Sequence, residues 1–180
     1  MCDEKKVSTT IDINTDGRNS YDWESGYPIE AQKKIRLDAT YISLVFFLSF
    51  LLITLNYLGI FSSWLNLPEN KIVKFEYIFY FSSSGMLGGV VFGLKYFYRV
   101  VARGYWTLDR RYWRILSPFI SMSISFIVGC MTSSEILYVH NSSTNTWAIA
   151  FGFFSGYFAD EAVGKMYEIA TLLFGKTKNK

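Results

Sequence analysis

The chain is poor in the residues that do chemistry. Among its 180 residues there is one histidine, His140, and two cysteines, Cys2 and Cys130, far apart. Two isolated cysteines build neither a disulfide framework nor a metal site, and a lone histidine has no cluster to join. HExxH, GxSxG, CxxC and phosphate-loop motifs are all missing. Mechanisms that need a nucleophile with its base, paired acids or a bound metal therefore lack parts. The expectation is a non-enzymatic protein without a cofactor. Charge is also absent over one long run, because no Asp, Glu, Lys or Arg falls between Thr40 and Phe61. The first 28 residues are polar and hold no apolar leader with a small-residue cleavage site. The first apolar helix is thus expected to act as its own insertion signal, and Cys2 is not preceded by the apolar segment of a lipoprotein.

What the chain does have is apolar surface: 51% of residues are hydrophobic and 19% aromatic, against a net charge of +3. That is too much for a soluble domain of this size. A bilayer core takes about 20 apolar residues as helix, and four segments fit, at about 40–61, 77–94, 115–138 and 146–162. The expected fold is all-α: a four-helix transmembrane bundle over 29–175 that ends in an amphipathic helical extension. A flexible polar tail, 1–28, precedes it and a basic tail, 176–180, follows. Tyr21, Trp23 and Tyr27 break the polar tail and suggest a docking contact. Leucine and phenylalanine lie all round the first span, which should face lipid over much of its circumference. The segment 62–76, with Trp64 and Pro68, reads as an interfacial turn.

Two sets of small residues predict close helix contacts. Gly85, Gly89 and Gly93 recur at every fourth position in the second span, and Ala148, Gly152 and Gly156 do the same in the last. Glycine removes side-chain bulk and lets backbones approach where no hydrophobic force operates. Small-residue faces on so many helices favour a homo-oligomer. In the third span, Ser117, Ser121, Ser125, Gly129 and Ser133 form a strip at i, i+4 spacing that ends near Glu135. Ser121, Ser125, Ser133 and Glu135 are the candidates for a polar path, since acids in membrane helices mark functional sites. Pro118 is placed near the start of that span, where its missing N–H costs little.

Between the second and third spans, Arg99, Arg103, Arg110, Arg111 and Arg114 stand among tyrosines and tryptophans. One reading is the positive-inside rule with an aromatic belt. Another is a site for an anion or an anionic lipid headgroup, with direct nucleic-acid binding not expected. Lys and Arg flank the first span and fill this connection, whereas the segment 139–146 has none. A multi-pass cell-membrane protein with both termini cytoplasmic is expected. The stretch Trp147–Gly175 reads as one continuous helix that leaves the bilayer and carries an apolar stripe onward. Asp160 and Glu161 stand at its exit and are the expected partners of Arg110, Arg111 or Arg114.

That last helix, with Gly152, Phe154, Gly156, Phe158, Asp160, Ala162, Lys165, Met166, Glu168, Ile169, Leu173 and Phe174, resembles the ending of a group of small four-span bacterial membrane proteins. Some members of that group are membrane components of antiphage defence systems, and the resemblance implies such a role here. It transfers no catalytic residue. Two functional readings follow. In one the chain is a homo-oligomeric membrane effector, channel-like, with the serine strip and Glu135 along a polar path. In the other it is a membrane anchor or sensor subunit that holds a cytosolic protein partner.

Overall fold

A computed structural model describes residues 25–65, 68–134 and 144–174. Among these residues the chain is entirely helical, in six segments: α1 (Ile29–Tyr57), α2 (Ile60–Leu65), α3 (Glu69–Ala102), α4 (Arg111–Ser133), α5 (Asn145–Tyr157) and α6 (Ala159–Phe174). Three of them, α1, α3 and α4, are long and apolar enough to cross a membrane. The expected fourth span is not one of these. Its helix, α5, has 13 residues, about 20 Å at 1.5 Å per residue against a hydrocarbon core of about 30 Å.

Pro28 and Pro68 occupy the N-cap positions of α1 and α3, where the fixed φ of proline suits entry to a helix and its missing donor is not needed. The second proline converts much of the expected interfacial turn into helix, because α3 begins at Glu69 and runs unbroken for 34 residues. At its other end α3 continues past Leu94 to Ala102. The basic connection is thus shorter than its charge pattern implied, with Lys95 and Arg99 on the last turns of α3. Gly104, at φ 74°, ends the run; only glycine takes that backbone conformation without strain.

α3 is the central helix, and every residue from Tyr80 to Val90 is buried. Serine and glycine make this possible by letting three neighbours come close at once. On one side Ile42 and Val45 of α1 pack against Met86, Val90 and Phe97. On another, Gly85 and Gly89 face Ser125 and Ser121 of α4. On the third, Gly88 abuts the backbone of Phe153 and Tyr157, and Gly152 and Gly156 abut Phe81 and Gly85. These contacts make α3 antiparallel to α1 and α4 and parallel to α5. Hydroxyls that would otherwise be stranded bond within their own helices: Ser49 to Val45 O (2.8 Å), Ser82 to Ile78 O (2.9 Å), Ser83 to Phe79 O (2.7 Å) and Thr132 to Val128 O (2.7 Å). Internal satisfaction of this kind is what an apolar solvent demands.

Of the five glycines expected to pack helices, Gly85, Gly89, Gly152 and Gly156 do so, whereas Gly93 has open space around its Cα. Two further glycines join them: Gly88 against α5, and Gly129 beneath the Phe81 ring. Pro118 is not at a helix start. α4 begins at Arg111, so the proline lies in its third turn and leaves the Arg114 carbonyl without its helical donor. Nor is the last helix continuous, because the chain turns at Phe158 between α5 and α6. Leu44, Phe47, Leu48 and Leu51 on α1, Phe119, Phe126 and Ile127 on α4, and Phe151 and Phe154 on α5 point outward. An apolar girdle of this extent fits contact with lipid.

Candidate functional site

The start of α1, the α3–α4 connection and the end of α5 come together at one end of the bundle. Asp38 lies there on α1, 3% exposed, and its carboxylate joins three groups. Arg111 donates through Nε to Oδ1 at 2.9 Å, and Arg114 donates through Nη2 to Oδ2 at 3.1 Å. Trp106 adds its indole N–H to Oδ2 at 3.3 Å. The Arg114 side chain is 2% exposed, its guanidinium lies 5.4 Å from the Trp106 ring centroid, and Nη2 also donates to Thr107 O at 3.1 Å. A buried cation needs such partners, since an unpaired charge in a low dielectric is costly.

The expected pairing of Asp160 or Glu161 with these arginines is therefore corrected. Arg111 and Arg114 belong to Asp38, and neither Asp160 nor Glu161 forms an ion pair with a described residue. Asp160 instead lines a cleft of about 440 Å³ with Phe92, Tyr96, Asp109, Arg110 and Trp113. Partial burial, aided by the adjacent Glu161, pushes the Asp160 carboxyl above its usual value.

Tyr27, one of the three tail aromatics, docks. Its hydroxyl donates toward Val101 O at 3.2 Å and accepts the Trp106 backbone N–H at 3.1 Å, and its ring meets the Trp106 ring edge to face, centroids 6.4 Å apart. Gln32 secures it by donating to Tyr27 O at 2.8 Å. Tyr21 and Trp23 lie outside the described residues. Tyr27 and Arg114 thus pin the connection from two sides, one at Trp106 and the other at Thr107.

That connection borders a second cleft of about 450 Å³, lined by Tyr96, Arg99, Val100, Arg103, Tyr105, Thr107 and Arg110. The five arginines proposed from sequence for an anion or lipid therefore divide by role. Arg111 and Arg114 share the carboxylate of Asp38, while Arg99, Arg103 and Arg110 are exposed and form no ion pair with a described residue. Arg110 donates to Tyr96 OH at 2.8 Å, which orients it between the two clefts.

The serine strip does not line a path through the chain. Ser121 is 3% exposed against Gly89, and Ser125 is 0% exposed, bonded to Gly152 O at 3.1 Å and Ser155 Oγ at 2.8 Å. Both sit inside a helix contact, Ser121 against α3 and Ser125 against α3 and α5. Ser133 is half-buried, and Glu135 and His140 lie outside the described residues. No group of three metal-ligating side chains is found among the described residues.

Asp38 escaped the sequence reading because it stands among lysines and arginines as an ordinary flanking acid. A signal existed, since it is the last charge before an uncharged run that faces a chain segment rich in arginine. Comparison with protein-family models, curated proteins and solved structures found no match.

Proposed function

We propose that the chain is a non-enzymatic integral membrane protein of the anchor or sensor kind, presenting a fixed basic surface at one bilayer face to a ligand and a cytosolic partner. The observation that carries this reading is the division of the arginines. Two, the buried Arg114 and the partly exposed Arg111, bind Asp38 and fasten the α3–α4 connection to α1, and three are left outward in an open cleft. A bundle built only to fill the membrane has no need of such a braced surface.

In this reading α5 makes a short fourth crossing, so that the start of α1 and the exit of α5 share the cytoplasmic side with the arginines. The positive-inside rule supports that orientation. Beyond Phe158, α6 leaves the bundle with Val163 and Tyr167 exposed and Lys165 paired to Glu168 at 2.7 Å in solvent, as suits a segment that meets another protein.

The channel-like effector has less support. Ser121 and Ser125 are buried within one chain and so lend its polar path no support, and the glycine faces that argued for several copies are largely consumed inside one chain. Purified protein reconstituted into vesicles is expected to leave the ion permeability unchanged, and pull-down from its host is expected to recover a soluble protein that deletion of residues 165–180 releases. Conductance by the isolated protein would overturn the anchor reading.

A further inference from the structure

Arg99 lies in the last turn of α3 and Arg103 caps its C-terminus four residues on, and the chain reverses at Gly104 to bring Arg110 to the same cleft. Tyr96, Tyr105 and Thr107 supply hydroxyls at its wall. The nearest acid in sequence, Asp109, lines the neighbouring cleft and not this one. Three guanidinium groups without a carboxylate partner among the described residues repel one another, and an anion relieves that repulsion. Each planar fork matches two oxygens of a tetrahedral oxyanion.

The site is held open by parts that do not line it. Arg114 grips the carbonyl of Thr107, and Tyr27 grips the backbone N–H of Trp106 and the last turns of α3. An anion entering the cleft thus finds its backbone frame fixed and Arg110 already oriented by Tyr96, which reduces the ordering cost of binding.

We infer that the Arg99–Arg103–Arg110 cleft binds a phosphate group, carried either by a lipid headgroup or by a free phosphate ligand. The inference rests on the reading of this end as a recognition surface at the bilayer boundary. The full-length protein in neutral detergent is titrated calorimetrically with short-chain phosphatidic acid, short-chain phosphatidylcholine and inorganic phosphate. Phosphatidic acid is expected to bind about tenfold or more tightly than phosphatidylcholine. Inorganic phosphate equal to phosphatidic acid identifies a free ligand, and inorganic phosphate much weaker identifies the headgroup.

The double variant Arg99→Gln/Arg103→Gln should lose about tenfold or more in affinity. The charge-matched variant Lys33→Gln/Arg36→Gln, outside the cleft on α1, should lose less than about threefold. Arg103→Gln alone should lie between, and unchanged circular dichroism shows that each variant is folded. Equal losses in the two double variants, or no preference for phosphatidic acid together with no response to inorganic phosphate, overturns the assignment. Such a failure leaves α6-dependent capture of a soluble partner untouched, so the two proposals fail separately.

Discussion

Asp38 is surrounded by two guanidinium groups and an indole N–H, and its removal leaves Arg114 buried with no carboxylate. Breaking one partner out of a buried pair is more damaging than replacing the whole pair by apolar groups. Asp38→Asn is expected to lower the unfolding free energy by about 3 kcal/mol, read from denaturant titration in detergent, and to loosen the connection that shapes the arginine cleft. Asp160 provides a second test, through pH. Burial, then Glu161, raises its folded value above the ordinary 3.8, so the folded state takes up a proton more readily than the unfolded chain. Its contribution to stability is complete below 3.8 and is lost as pH rises through the raised value. The advantage in melting temperature that Asp160→Asn holds over the unaltered protein should accordingly grow as pH rises from 3.8 upward, read from parallel pH series of thermal melts.

At the level of helices, the contact between α3 and α5 depends on backbone meeting backbone. A Cβ added at Gly156 would lie 2.6 Å from the Gly85 carbonyl carbon, and one at Gly152 would lie 2.7 Å from the Phe81 carbonyl oxygen. Neither neighbour is a flexible side chain that can swing aside. Gly156→Ala should cost about 1–3 kcal/mol by overpacking. Gly93→Ala, with nothing within 4 Å, should be neutral or gain up to about 1 kcal/mol from helix propensity; parallel unfolding titrations distinguish them. The packing glycines were legible because spacing alone puts Gly85, Gly89, Gly152 and Gly156 on single faces. Gly93 shares the spacing but lies beyond the reach of its neighbour, and spacing carries no information on where a partner ends. The all-helical class and the apolar spans were legible from composition for the same local reason. The Asp38 cluster was not, because it joins residues more than 70 positions apart, and the place of Asp160 at the exit of the last helix, on the side expected to hold the arginines, favoured it over an acid that precedes the first span.

For the molecule as a whole, orientation is the feature open to direct measurement. If α5 crosses, single cysteines placed at Lys33 and Lys165 in a chain freed of Cys2 and Cys130 should react with an impermeant maleimide from the same side of a sealed vesicle. Labelling from opposite sides would mean three crossings and would remove the cytoplasmic placement of α6. The shortness of α5 also has a mechanical meaning for the surrounding lipid. The uncharged part of α1, from Ala39 to Tyr57, is about 28 Å tall at 1.5 Å per residue, whereas α5, with 13 residues, rises about 20 Å. Lipid touching the two flanks thus meets walls of unequal height, and bilayer deformation costs a fraction of a kcal/mol per Å of mismatch. If α5 crosses, the protein is a tapered inclusion, expected to prefer thin membrane on its α5 flank and to gather where the bilayer is already thinned.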